Sequence, residues 1–193
     1  MGLTQTVAPT IEPLTISEVK AQCEYEEDDR GVMFERLIRT ARKHYEETSG
    51  VQCINATWKW QLDDFPGSGE ALVVPRNPLS SVTSIQYIDT AGDTQTWSSD
   101  DYDVDTDSLE GRIVPAYGET WPTTRSDINA VTVTFVAGYG TERQSVPDDI
   151  RSLLLLHVAQ LFEYREPTVT GSHSRTVAYT MDALFWGSRK TVV

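Results

Sequence analysis

Basic residues are few in this chain: 16 lysines and arginines stand against 29 aspartates and glutamates, for a formal net charge of -13. A protein that grips nucleic acid neutralises phosphates with clustered Lys and Arg. No such patch or stripe occurs, which disfavours sequence-specific nucleic-acid binding and leaves only passage of DNA without a grip. The deficit is local. Residues 1–110 hold 21 acids and 8 bases, whereas residues 111–193 hold eight of each.

Cysteine is nearly absent. Cys23 and Cys53 lie 30 residues apart, match no metal or redox spacing, and read as free thiols of a reducing compartment. The three histidines, His44, His157 and His173, are dispersed, with no two at metal-ligand spacing. The turns "PGSG" and "AGYG" lack the spacing and the lysine of a phosphate loop, and no nucleophile elbow is present. These absences predict no enzyme activity, no cofactor and no metal. No apolar run approaches the length that crosses a bilayer, and the first residues lack a basic segment followed by an apolar one. The expectation is a soluble protein that is not secreted by a signal-peptide route.

What is present is enough for one domain, or one domain with a large insertion: a 193-residue chain buries about 70% of its unfolded surface. Thr15 followed by Glu18 forms a capping-box pattern, with Leu14 and Val19 placed as a hydrophobic staple, for a short helix ending near Cys23. Asp28 or Asp29 is the expected cap of a longer helix, in which Met33, Leu37, Ala41 and Tyr45 recur every four residues beside Phe34 and Ile38; Gly50 ends it.

The period then changes to two. Ile54, Ala56, Trp58, Trp60 and Leu62 alternate with polar residues, and Val131, Val133, Phe135, Ala137 and Tyr139 do the same. Between them "EALVV", "VTSIQYI" and "TQTW" read as shorter strands. Helix returns after Pro147, where Asp148 and Asp149 favour the positive end of the dipole. Leu153, Leu154, Leu155 and Leu156 advance about 100° each and so cover most of that helix's circumference, which predicts burial on several sides, part of it against another subunit.

The fold class predicted is α+β: a helical bundle from residues 15–49 and 147–166, a β-rich insertion over 51–140, and an arm over 167–193 that ends in a short helix. Residues 1–193 are read as a single domain. Leu184, Phe185 and Trp186 on that arm, in a segment that also holds Met181, Arg189 and Lys190, read either as a docking peptide or as a last helix folded onto the chain's own core.

Two stretches invite chemistry. "DDYDVDTDSLE" suggests calcium, but from Asp101 the loop needs Gly and Glu where Thr106 and Arg112 stand; a solvated strand face leading into a turn is the better reading. "EGRIVPAYGETWP" packs Tyr117 and Trp121 around Glu119, as the mouth of a binding site or as a stiff loop holding a protein contact. Four tryptophans in the β region also raise a carbohydrate-binding module as the alternative function. Trp58 and Trp60, however, alternate with core residues.

Taken in order, "EPLTISEVKAQC", "RLIRTARKHYEETSG", "ATWKWQLDDFP", "VPRNPLSSVTSIQYID", "DYDVDTDSLEGRIVPAYGETWP", "VTVTFVAGYG" and "VPDDIRSLLLLHVAQLFEYRE" resemble the head-tail connector (adaptor) family of tailed phages and prophage-like particles. The likeness runs nearly end to end and is looser over "TVTGSHSRTVAYTMDALFWGSRKTVV". It implies a virion protein, assembled in the host cytoplasm, that forms a homo-oligomeric ring of twelve. The ring would join the portal protein to the tail or the next connector and leave a DNA channel, with no membrane involved. It also implies portal contact through Met181, Leu184, Phe185, Trp186, Arg189 and Lys190. Subunit packing would fall to Leu153, Leu154, Leu155, Leu156, Tyr117 and Trp121.

Overall fold

The computed structural model describes residues 2–108 and 110–163. They form a mixed α+β protein with three α-helices and eight strands in two antiparallel sheets. The chain divides into two compact units, which within the described residues are 2–9 with 55–139, and 10–54 with 140–163.

The first unit holds the strands. They are β1 (Gly2–Val7), β2 (Ala56–Leu62), β3 (Leu72–Val73), β4 (Leu79–Ile88), β5 (Thr94–Trp97), β6 (Tyr102–Asp105), β7 (Arg112–Pro115) and β8 (Val131–Ala137). The larger sheet runs β1-β2-β8-β4-β5 and the smaller β3-β7-β6. The two strands with the cleanest alternation, β2 and β8, lie side by side at the middle, with Trp58 opposite Phe135 and Trp60 opposite Val133. Opposed residues share a face, so both apolar sets enter one core. That core also takes Leu79 and Ile85 from β4 and Leu72, Tyr102 and Ile113 from the smaller sheet. Each large side chain fully withdrawn from water contributes about 1.5–3 kcal/mol.

Two strands went unread in the sequence. β1 lies outside the expected 51–140 region, pairs Gly2 with Gln61 and Leu3 with Trp60, and forms one edge of the larger sheet. β7 occupies the start of "EGRIVPAYGETWP" and is the central strand of the smaller sheet. Gly111 precedes it, at a point where a Cβ would overlap the side chain of Leu79.

The second unit holds α1 (Ile16–Gln22), α2 (Gly31–Ser49) and α3 (Asp148–Glu163), each packed against the other two. The capping box at α1 is present: Glu18 N–H donates to Thr15 Oγ1 at 3.2 Å, and Thr15 N–H to Glu18 Oε2 at 2.7 Å. Leu14 and Val19 are both buried. Burial opposes ionisation of Glu18, yet hydrogen bonds from Thr15 and the nearby Arg151 on α3 hold its carboxyl below the ordinary range.

The cap of α2 differs from expectation. Arg30 occupies the N-cap without a side-chain bond, because Asp28 pairs with Lys20, while Asp29 accepts from the Tyr25 hydroxyl and pairs with Arg30. Both carboxylates are engaged elsewhere. Gly50 does end α2, with φ 73° in the left-handed region.

The buried face of α2 is also rotated from the stripe the sequence suggests. It runs through Phe34, Ile38, Ala41, Arg42, Tyr45 and Glu46, with Met33 and Leu37 only half-buried. Phe162 of α3 stacks on Phe34, ring centroids 5.2 Å apart, and Tyr25 meets both rings edge-on. On α3, Leu153 and Leu154 are buried with Ile150, His157 and Val158, but Leu155 is half-buried and Leu156 is 44% exposed. The enclosure predicted from four consecutive leucines is therefore incomplete among the described residues.

Candidate functional site

The stretch from Glu110 to Pro122 forms one wall of a groove in the β unit. After β7, Ala116 N–H donates to the Asp101 carbonyl at 2.9 Å and Glu119 N–H to the Ala116 carbonyl at 2.9 Å, which turns the chain back. Tyr117 stands at the tip of that turn, fully exposed. Trp121 folds inward instead. Its ring stacks on Phe65 at 5.0 Å and 18°, lies 5.2 Å from Trp97, and its Nε1–H donates to the Glu70 carbonyl at 3.1 Å.

This arrangement leaves a groove of about 460 Å³ between residues 68–70 and the returning loop. Its apolar walls are Val114, Pro115 and Trp121, and it carries two carboxylates, Glu70 and Glu119. Sequence reasoning singled out Glu119, Tyr117 and Trp121 but missed Glu70. Only the fold, through the Trp121–Glu70 bond, brings the two regions together.

The aromatic residues that raised a carbohydrate platform are largely consumed by the protein itself. Trp58, Trp60 and Trp97 are buried, and Trp97 also packs on Phe65 and Tyr102. The acidic run likewise has an internal account. Asp105 accepts from the backbone N–H of Asp107 at 3.1 Å and of Ser108 at 3.0 Å, and from Arg112 Nε at 2.9 Å. Ser108 foremost, then Arg112, holds its carboxyl far below the ordinary range. Among the described residues no three His, Cys, Asp or Glu side chains are grouped to hold a metal ion.

Two histidines separated by 113 positions meet in the helical unit: the rings of His44 on α2 and His157 on α3 lie edge to face, centroids 5.1 Å apart. Burial, and secondarily the proximity of His44, pushes His157 down to about 4. The unfolded chain therefore takes up a proton near pH 6.5 that the folded one refuses. The stabilisation is fully present above about pH 6.5 and is lost progressively as pH falls to about 4. Thermal unfolding followed by circular dichroism at 222 nm should show Tm falling across that window. In His157→Phe the drop should be smaller; an equal drop would assign it to other groups.

Cys53 is buried, and burial pushes its thiol far up from the ordinary range; Cys23 is half-buried and raised for the same reason, reinforced by Glu163. Neither is poised as a nucleophile. Met181, Leu184, Phe185, Trp186, Arg189 and Lys190, the expected docking residues, lie outside the described residues.

No family model matches the chain, and no curated protein does. Solved structures do. A chain from the neck of an empty GTA particle computed with C6 symmetry matches at TM-score 0.82 and 20% identity, covering 100% of this chain and 97% of that one. A chain from the virion of a native gene transfer agent (GTA) particle matches with the same score, identity and coverage. One from the neck of a native GTA particle computed with C12 symmetry matches at TM-score 0.77, again at 20% identity and the same coverage. The chain shares the fold of these particle proteins.

Proposed function

We propose that this chain is a structural component of the neck of a phage-like particle, and that it acts by assembly rather than by catalysis. The observation that carries this reading is the end-to-end match in fold to chains of GTA necks and virions, with 97% of each neighbouring chain covered. A fold shared over a fragment would support a common building block; one shared over the full length supports a common part in a particle. The ordered sequence stretches that resemble head-tail connectors point the same way.

In this reading twelve copies form a ring between the portal and the tail or next connector. A cyclic ring needs two different complementary surfaces on each protomer. The exposed Leu156 side of α3 and the Tyr117 turn are available for such contacts. The surplus of acid suits a channel wall: a negative lumen repels phosphate and lets DNA slide. Residues 181–193, with Leu184, Phe185 and Trp186 beside Arg189 and Lys190, are assigned to the portal.

Native mass spectrometry of the full chain, alone and mixed with the portal protein of the same particle, tests this. The expected species is a closed ring, free or on the portal, and removal of residues 180–193 should abolish co-sedimentation with the portal while both folded units persist. A chain that stays monomeric in both settings would overturn the reading.

A further inference from the structure

The groove between residues 68–70 and the Tyr117–Trp121 loop has features that ring assembly does not by itself require. Its two carboxylates, Glu70 and Glu119, are exposed and make no ion pair or hydrogen bond among the described residues, although many other acids of this chain are paired or bonded. Val114, Pro115 and Trp121 give it an apolar strip beside Ser68 and Thr120, and Val73 on the neighbouring strand β3 and Tyr117 on the loop are exposed as well. Two uncompensated negative charges beside an aromatic and aliphatic strip match a ligand that carries positive charge and apolar side chains together.

We propose that this groove docks an extended basic segment of another protein chain, with Arg or Lys side chains reaching Glu70 and Glu119 and an apolar side chain lying against Trp121, Val114 and Pro115. A volume of about 460 Å³ accommodates a few side chains, not the face of a folded domain. The walls are pre-formed: Trp121 is held by its stack on Phe65 and its bond to the Glu70 carbonyl, and Glu70 N–H is fixed to the Gly67 carbonyl at 3.0 Å. Little ordering cost falls on the protein side, so a short segment suffices. A sugar suits the site less well, because one face of Trp121 is already occupied by Phe65 and its indole N–H is already used.

The indole N–H of Trp121 gives one of five tryptophan indole signals in nuclear magnetic resonance spectra of the full ¹⁵N-labelled chain, and its loss in Trp121→Phe assigns it. The probe is a glycine-flanked peptide of Leu, Pro, Arg and Lys; its counterpart has Glu in place of each base. Saturable movement of the Trp121 resonance with the basic peptide alone is the expected result. Its affinity should be about tenfold weaker in Glu70→Gln/Glu119→Gln, and weaker again at high salt. Both substitutions lie on the exposed surface, and an unchanged urea midpoint confirms the fold. No movement at millimolar basic peptide, equal movement with the acidic one, or a response to a methyl hexoside in place of the peptide would each overturn the proposal. All readouts are made on the isolated chain, so a failure here is distinguishable from a failure of the ring reading.

Discussion

Replacing Arg42 with methionine should destabilise the helical unit by about 3–5 kcal/mol, the range for breaking a buried ion pair from one side. The Arg42 side chain is 6% exposed and that of Glu46 7%. Nε and Nη2 of Arg42 donate to Glu12 at 2.6 and 3.2 Å, and Nη1 donates to Glu46 at 2.7 Å. The second oxygen of Glu46 accepts from Gln52 Nε2 at 2.7 Å and from Cys53 N–H at 3.1 Å, which ties the end of α2 to the segment that leaves it. Burial works against the charge on Arg42, but its hydrogen bonds to Glu12 and the charge of Glu46 raise its pKa further. Methionine matches the aliphatic stem and removes the guanidinium that neutralises Glu46, so the loss is electrostatic more than a matter of volume. Urea unfolding followed at 222 nm should show the midpoint fall. Arg42→Met/Glu46→Met should recover part of it, because the buried charge is then gone as well. A single variant within about 1 kcal/mol of the parent would show that the network is not stabilising.

The same pair marks where the sequence stops being legible. The alternation in β2 and β8, the capping box at Thr15 and Glu18, and the end of α2 at Gly50 are local patterns, and each is realised where the pattern stands. The burial of Arg42 and Glu46 has no local signal, since a charge at a helix position is buried only when a partner meets it. One partner, Glu12, is 30 positions away. β1 carried no signal because an edge strand with little buried surface need not alternate apolar with polar residues. The groove was half legible: Tyr117, Glu119 and Trp121 stood out together, while Glu70 joins them only in the fold, through the bond from the Trp121 indole to its carbonyl. The carboxylates Asp28 and Asp29 had the right chemistry for a cap and were claimed by Lys20, Tyr25 and Arg30 instead.

Gly138→Ala should weaken the β unit by about 2–6 kcal/mol, the sum of two separate costs. Gly138 follows β8 with φ 140°, a conformation that L side chains rarely adopt. A Cβ there would also stand 2.5 Å from the backbone N and 2.7 Å from the Cα of Asn55, which leads into β2. Backbone cannot rotate aside as a side-chain tip can, so the junction must move, and with it the Ala56–Ala137 pairing next to it. Gly118→Ala is the control. It has φ 91° and a Cβ there would meet nothing within 4 Å, so only the conformational cost of about 1–2 kcal/mol applies. The described tryptophans, Trp58, Trp60, Trp97 and Trp121, all lie in this unit, and their fluorescence reports its unfolding in urea. Equal midpoints for the two variants would remove the steric part of the argument.

The position of β8 between β2 and β4 has a consequence for how the protein is made. Neither flanking strand has its main neighbour until residues 131–137 leave the ribosome, and the helical unit is similarly split between residues 10–54 and 140–163. Chains emerge at about 5–20 residues per second, so the nascent polypeptide spends several seconds holding the apolar residues of β2 and β4 without their partner. No single cut between residues 56 and 137 yields a fragment with the complete larger sheet. Both units must close late in synthesis, on sequence-distant contacts of the kind that slow folding, and the waiting strands are the natural substrate for a chaperone during that interval.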